Sequence, residues 1–555
     1  MADLVYETLR AIGPCASNTL VERLVAAHGL TAPAARQRLS RSTTIKKLAH
    51  LPLQRNARFV YLQEHYGSPE FWESLVRVLR ENSVSYGGGL AALLARGGIM
   101  PKTHFAIACG APLKQKGHPS PAAILDRLHV AKLIQMLDVP GLGECVELSN
   151  QVAPEPYELA RMRARLRTEE ILLRAVKDWA RKLGLASFDK VALRDEEADG
   201  GQPRVGTFCW DLTGPSYLAP MVQWSEAGLK SGFLVCDVLL GGNLKAEHLR
   251  PFINKCKTLR SLRNVGRCLQ VFIADGYDKD AFTLARSEGV IPATPESLFG
   301  EEVARSLGLL TELLQDVYPK ADNLEKLDTV FSRLSRIEGV AVNLRGALFE
   351  YLAAELVRCT STYTDIRMNE IFRDETGRTA EVDVLVVDNN KTVRFIECKG
   401  YKPGGSVPDE MVTRWLNDRV PLVRKVAKTN PFWNNCKFQF EFWTTGQLSP
   451  EAAAMAENAR QTVRKYSLDV VDRAALEALG KGSNNTALKK TLQEHFLAHP
   501  LETAEPVDPK RGRKLPIPAP VSLEKRVKPV ENDFLDALSY DEKSAGEACG
   551  SQGPR

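Results

Sequence analysis

Two apolar runs separated by an Asp-Asn-Asn turn constrain this chain more than any other feature. The runs AEVDVLVV (380–387) and VRFIECKG (393–400) are rich in Val, Ile and Phe. They read as strands joined into a hairpin at 388–390. Residues two apart on a strand share a face. Glu381 therefore points with Asp383, and Glu397 points with Lys399. A hairpin centred on Asn390 sets Asp383 opposite Glu397. Apolar residues on both faces predict a mostly buried sheet, and charged residues are seldom buried unless paired. Just upstream, NLRGALFEYLAAELVRC reads as a helix. Ala347, Leu348, Tyr351, Leu352 and Leu356 recur at helical spacing, and Glu350 borders that apolar face.

Carboxylates converging on one strand pair need a counter-charge. Like charges about 4 Å apart repel by roughly 4 kcal/mol at an effective dielectric near 20. A hard divalent cation, Mg²⁺ or Mn²⁺, takes oxygen ligands and removes that repulsion. Such a cation also acidifies a bound water and neutralises phosphate charge. A neighbouring lysine can orient that water or stabilise the transition state.

This arrangement resembles the PD-(D/E)xK nuclease superfamily, with the fold of restriction endonucleases. The pattern is an acid on a first helix, an Asp on one strand, then Glu-x-Lys on the next. Here these are Glu350, Asp383 and Glu397-Cys398-Lys399. Val382 stands where the motif has its proline. The later FQFEFWTTGQLSPEAAAMAENARQTVRKYSLDVVDRAALEAL also looks like the back half of such domains. The resemblance implies a Mg²⁺- or Mn²⁺-dependent phosphodiesterase domain over 324–480. Its catalytic residues are Glu350, Asp383, Glu397 and Lys399, and Asp383, Glu397 and Glu350 hold the metal. A DNA endonuclease of a bacterial restriction or antiviral defence type is the implied function.

At 555 residues the chain is too long for one core. In the first 66 residues three amphipathic helices precede a small hairpin. Ser17 and Thr31 read as N-caps, and Gly29 reads as a left-handed helix terminator. PLQRNARFVYL reads as a strand pair turning at 55–57. This order resembles a winged helix-turn-helix. The resemblance would put Arg36, Arg38 and Arg41 of the third helix in a DNA groove, with Arg55 and Arg58 on phosphates. Residues 67–150 read as a second winged-helix-like or helical domain, in which PAAILDRLHVAKLIQML is one helix. Residues 151–185 read as a solvated connector helix, its arginines balanced by glutamates.

Residues 186–318 look like a degenerate copy of the nuclease-like domain. LQVFIADGYDKDAFTLARSEGVIPATPESL parallels the back half above, each strand ending at a glycine, Gly276 or Gly446. Aligning Phe233 with Phe395 sets Val235 against Glu397 and Asp237 against Lys399, with Asp211 standing for Asp383. No lysine falls where Lys399 would be, so this copy reads as catalytically dead. The expected fold class is multidomain α/β: N-terminal winged-helix-like domains, then two restriction-endonuclease-like domains, the first degenerate.

The net charge of +6 permits a polyanionic partner without requiring one. Eleven scattered cysteines without a CxxC pair suit a reduced cytoplasm. The start predicts no signal peptide and no run predicts a membrane span. Residues 481–555 read as one helix and a disordered basic tail able to bind protein partners, and a homo-oligomer is allowed. DNA is the expected partner, with RNA not excluded. The competing functions are a non-catalytic nucleic-acid-binding regulator and a structure-selective nuclease of junctions or RNA.

Overall fold

The computed structural model describes residues 3–497, apart from 52, 83, 150–155, 197–201, 226–227, 263, 316–325, 327–328, 331–332, 335–339, 389–390 and 403. The tail features expected beyond 497 lie outside the described residues. The chain is a mixed α/β protein of several domains with several small sheets. Among the described residues no helix is long and apolar enough to cross a membrane, and the cysteines are free thiols.

The N-terminal part runs α1 (Leu4–Ile12), β1 (Cys15–Ala16), α2 (Ser17–His28), α3 (Ala32–Arg41), β2 (Lys46–Lys47) and β3 (Phe59–Tyr61), with sheet order β1-β3-β2. Asp3 caps α1 by accepting the Val5 amide at 3.0 Å. Gly29 ends α2 in the left-handed conformation, at φ 63°. Thr31 is the N-cap of α3, without a side-chain hydrogen bond, whereas Ser17 does not cap α2. Ser17 is the first residue of α2, and its hydroxyl accepts the Arg58 amide at 3.0 Å instead. The partner of β3 is Lys46–Lys47, not the segment before the turn. Arg55 and Asn56 both take positive φ, which breaks the extended run there.

Next come α4 (Pro69–Asn82), α5 (Val84–Leu94), β4 (Ile99–Pro101), α6 (Lys102–Ala108), α7 (Pro121–Val130), β5 (Ile134–Val139) and β6 (Gly143–Leu148). The sheet order is β4-β6-β5, so the third strand is again central. The helix expected to run on through 137 stops at Val130. Lys132 takes a left-handed φ of 57°, and the chain turns into β5, which pairs with β6 around a Pro140-Gly141 turn.

Two five-stranded sheets follow. The first unit runs α8 (Pro156–Lys182), β7 (Ala192–Leu193), the ribbon β8 (Arg204–Val205) and β9 (Phe208–Cys209), β10 (Leu212–Ser216), and the ribbon β11 (Gln223–Ser225) and β12 (Gly228–Lys230). It continues through β13 (Gly232–Leu244), α9 (Ala246–Ser261), β14 (Cys268–Tyr277), α10 (Lys279–Ser287), β15 (Ile291–Ala293), α11 (Pro295–Phe299) and α12 (Glu301–Gln315). The second runs α13 (Val340–Thr360), β16 (Asp365–Arg373), β17 (Thr379–Asp388), β18 (Thr392–Lys399), α14 (Asp409–Arg414), a π-turn at Trp415–Arg419, and α15 (Val420–Ala427). Then come β19 (Lys437–Thr444), α16 (Pro450–Thr462), β20 (Ser467–Val471), α17 (Arg473–Gly482) and α18 (Thr486–Leu492).

The strand orders are β7-β10-β13-β14-β15 and β16-β17-β18-β19-β20. In each sheet the first three strands are antiparallel and the last three parallel. The registers fix the correspondence. Leu212 pairs with Cys236 as Val384 pairs with Ile396. Cys236 then meets Val271 as Ile396 meets Glu441. Asp211 thus takes the place of Asp383, and Asp237 that of Glu397. The alignment of Phe233 with Phe395 is two residues out of register, and Leu239, not Asp237, stands where Lys399 does. One hydrogen bond repeats in both sheets. Asp383 Oδ2 accepts the Cys398 amide at 2.7 Å, and Asp211 Oδ2 accepts the Val238 amide at 2.7 Å.

The helix α8 is not a solvated connector. Ile171, Leu172, Leu173, Ala175 and Val176 are buried in one continuous core with Leu307, Leu310 and Leu313 of α12 and with Leu348, Leu352 and Leu356 of α13. Its charge pattern is balanced because Arg165 and Glu169 are themselves buried and paired. At α13 the helix comes so close to the end of β18 that a Cβ on Gly400 would lie 2.5 Å from Phe349 Cβ and 2.6 Å from the Arg345 carbonyl. That approach places Glu350 beside the strand ends. The opposite face of the second sheet packs Leu385, Phe395, Phe440 and Phe442 against Trp415, Val420 and Val423.

Candidate active site

Asp383 and Glu397 lie on neighbouring antiparallel strands and are 6% and 5% exposed. The Lys399 ammonium sits among three oxygens. It is 2.7 Å from Glu397 Oε1, 2.9 Å from the Cys398 carbonyl and 3.6 Å from Asp383 Oδ2. From the π-turn, Arg419 Nη1 donates to both oxygens of Glu397 at 2.5 Å. Glu381, one strand turn before Asp383, pairs with Arg163 of α8.

The balance of burial and charge differs from group to group. Burial, with Asp383 and Glu381 beside it, pushes the Glu350 carboxyl up to about 8. Burial likewise holds Glu381 at about 7, against the pull of Arg163. Burial and Asp383 raise Glu397, opposed by Lys399 and Arg419. Burial works against the Lys399 ammonium, but Asp383 and Glu397 outweigh it and hold it above its usual range. Glu350, Glu381, Asp383, Lys399 and Arg419 line a cleft of about 540 Å³ whose other wall is α8, with Pro140 and Gly141 at one end.

The structure therefore gathers the four residues expected from the sequence, Glu350, Asp383, Glu397 and Lys399, at one set of strand ends. It places Arg36, Arg38, Arg41, Arg55 and Arg58 elsewhere, all exposed on the N-terminal domain and none lining the cleft. Arg419 and Arg163 were not legible. Both come from helices distant in sequence, and no local motif marks them.

Among the described residues no group of three or more His, Cys, Asp or Glu side chains is drawn together tightly enough to hold a metal unaided. The donor chemistry still suits a hard cation. The Lys399 ammonium is a cation already seated among carboxylate and carbonyl oxygens, the ligand types that Mg²⁺ and Mn²⁺ take. Burial first, then the charges of Asp383 and Glu381, disfavours the Glu350 carboxylate, a cost that a bound cation would offset. Asp383, Glu397 and Glu350 are the side chains that would hold such an ion.

The matching acids of the first sheet do not line the cleft, although Arg194 does. Glu169 of α8, Asp211 and Asp237 are all buried, and Arg194 and Lys255 between them neutralise all three. Arg194 bridges Glu169 Oε2 at 2.7 Å and Asp211 Oδ1 at 2.9 Å. Lys255 of α9 pairs with Asp237 and donates to the Cys209 and Ile107 carbonyls at 2.9 and 3.2 Å. Burial opposes the Asp211 carboxylate, but Arg194 holds it below its usual range. Asp237 is held at about 6, burial outweighing Lys255. In the sequence Asp237 falls against Lys399 for lack of the correct register, and Glu169 reads as part of a solvated helix.

No protein-family model and no curated protein sequence matches this chain. Among solved structures, the restriction endonuclease FokI aligns over 84% of this chain and 82% of its own, at 10% identity and a TM-score of 0.18. FokI bound to DNA aligns over 85% and 83%, at 10% identity and the same score. A score of that size establishes no shared fold.

Proposed function

We propose that the chain is a metal-dependent nuclease of restriction-endonuclease-like architecture, with its active site at Glu350, Asp383, Glu397 and Lys399. The observation that carries this reading is the contrast between two sheets of one topology. In the first sheet, three buried acids are each neutralised by an arginine or lysine. In the second, Glu350, Asp383 and Glu381 line a cleft, and burial with Asp383 beside it holds Glu350 at about 8. A structural ion-pair cluster has no need of such a cleft, whereas phosphodiester hydrolysis needs access and uncompensated acid.

When bound, Mg²⁺ or Mn²⁺ supplies an acidified water and neutralises charge on the phosphate. Asp383 and Glu397 would hold the ion from adjacent strands, with the Cys398 amide fixing the Asp383 carboxylate. Glu350 would join them as a third oxygen ligand. Lys399 would orient the attacking water or stabilise charge on the scissile phosphate. Arg419 holds Glu397 in place. The N-terminal domains, with helices and a three-stranded sheet each, are read as winged-helix-like modules that contact DNA through Arg36, Arg38, Arg41, Arg55 and Arg58. A restriction or defence role in the cytoplasm is the biological setting this reading implies.

A second reading is a nucleic-acid-binding regulator without catalysis. The absence of a tight three-ligand cluster among the described residues favours it, as does the neutralisation of Glu397 by two cations. The test is incubation with plasmid, linear and single-stranded DNA and with RNA, in Mg²⁺, Mn²⁺ or EDTA. Cleavage that needs metal and is lost in Asp383→Ala and Glu397→Ala is expected. Cleavage in EDTA sinks the metal site. No cleavage of any substrate hands the case to the regulator.

A further inference from the structure

Three arginines of α8 face the carboxylates across the cleft. Arg163, Arg167 and Arg174 are spaced by four and seven residues, so they share one helical face. Each lines the cleft that holds Glu350, Asp383 and Lys399. Arg163 is engaged, pairing with Glu381 and donating to the Pro140 carbonyl at 3.1 Å. The other two converge on one carboxylate. Arg167 Nη1 is 3.3 Å from Glu170 Oε2, and Arg174 Nη2 is 3.2 Å from Glu170 Oε1. The Arg167 side chain is 62% exposed. Among the described residues the buried Arg174 Nε has no hydrogen-bond partner. Two guanidinium groups sharing one carboxylate leave this wall with an excess positive charge, turned toward the acids.

We propose that Arg167 and Arg174 form a phosphate tract that holds one strand of nucleic acid and leads its backbone to Asp383 and Lys399. The proposal rests on the nuclease reading of that site and names its substrate form. The guanidinium fork matches the paired oxygens of a phosphodiester. Seven residues of helix rise about 10 Å, so the two guanidinium groups are spaced to meet different phosphates of one strand.

The size of the cleft selects a strand over a duplex. Its volume of about 540 Å³ is that of a small-molecule pocket, whereas the major groove of a duplex alone is about 12 Å wide. One end is bounded by the β5–β6 turn. Pro140 is held there by Arg163, and Asp138 accepts from Arg373 at 2.9 Å and from Thr379 at 3.1 Å. A single-stranded end or loop is the form that enters a cleft of this volume.

The experiment measures binding of the full chain to short fluorescent single strands of DNA and RNA and to a blunt DNA duplex. It is done in Ca²⁺ without Mg²⁺, over a salt titration. Single strands should bind several-fold more tightly than the duplex, and the DNA and RNA arms decide the sugar. Arg167→Ala and Arg174→Ala should each weaken single-strand binding several-fold. Each should also reduce the salt slope by ~0.7, the share of one single-strand phosphate, with Arg167→Lys retaining most of the slope. Arg167 is exposed, so its loss leaves the fold intact, and a thermal melt checks both variants. An unchanged slope in Arg167→Ala, or a duplex bound as tightly as the single strand, overturns the tract. Metal-dependent cleavage alongside an unchanged slope removes the tract and leaves the nuclease. A slope that falls as expected without any cleavage leaves the tract and removes the nuclease.

Discussion

Arg419 Nη1 contacts both carboxylate oxygens of Glu397 at 2.5 Å. Any cation that ligates Glu397 must therefore compete with a guanidinium already there. Arg419→Ala removes that competitor while Lys399 keeps the carboxylate paired at 2.7 Å. The expected outcome is Mn²⁺ binding several-fold tighter than in wild type, read by titration calorimetry at one pH. Equal or weaker Mn²⁺ binding would show that Glu397 is not a ligand.

Lys399 shares the face of Glu397 and touches both acids and the Cys398 carbonyl. Burial opposes its charge, but Asp383 and Glu397 outweigh it and favour the charged form. Loss of one preorganised group of this kind typically costs on the order of 10²–10³ in rate. Lys399→Ala should bind nucleic acid in Ca²⁺ about as well as wild type and cut it more slowly by that factor in Mg²⁺. Cleavage at the wild-type rate would make Glu397-Cys398-Lys399 an ordinary strand segment.

Glu350 links metal, pH and stability. Its carboxyl stands at about 8 in the folded chain against an ordinary 4.5, burial and Asp383 being the main causes. The native state then holds a proton that the unfolded chain releases. This contribution to stability is complete below pH 4.5, declines as pH rises, and is gone above pH 8. Glu350→Gln cannot ionise. In EDTA it should melt with wild type at low pH and above wild type beyond pH 8. Parallel melting curves across that window would mean Glu350 is not held protonated by its neighbours.

The hairpin was the most legible part of the chain because strand periodicity is local. Two apolar runs and an Asp-Asn-Asn turn set Asp383 beside Glu397, and the observed pairing of Asp388 with Thr392 has that register. Glu350 was legible as the polar border of an apolar helix stripe. What failed was the information carried by long-range pairing. The first sheet could be matched to the second by its strand-glycine-helix ending, yet the acid register slipped by two, because Phe233 and Phe395 looked alike. Only the pairing of Cys236 with Leu212 and Val271 corrects it. The helix α8 was misjudged for a related reason. A balanced charge pattern looks the same whether its ions are solvated or buried in pairs, and Glu169 finds its partner Arg194 twenty-five residues away.

Gly400 controls how near α13 approaches β18. A methyl group there would sit 2.5 Å from Phe349 Cβ and 2.6 Å from the Arg345 carbonyl, so helix and strand must part. Glu350 follows Phe349 and would move with it. Gly400→Ala should lower the melting temperature by a few degrees and weaken Mn²⁺ binding, with circular dichroism unchanged. Wild-type melting and metal binding would show that the contact yields without moving Glu350.

Arg194 offers a test of whether the two carboxylate clusters are the same device in two states. Its guanidinium lies between Glu169 and Asp211, at 2.7 and 2.9 Å, and all three are buried. Removing one partner from a buried ion pair costs about 3–5 kcal/mol, since the remaining charge stays unpaired. Arg194→Ala should lose about that much stability in EDTA, measured by denaturant unfolding. The substitution also leaves two acids facing one another beside Asp237, much as Glu350 and Asp383 stand beside Glu397. A hard cation suits such oxygens, so Mn²⁺ should restore part of the lost stability. The comparison is made in an Asp383→Ala background, which silences the second site and leaves the first as the source of any Mn²⁺ effect. Destabilisation with recovery in Mn²⁺ would mean that one arginine separates a structural cluster from a metal site. Destabilisation with no recovery would mean that the shared register of Asp211 with Asp383 does not extend to shared chemistry.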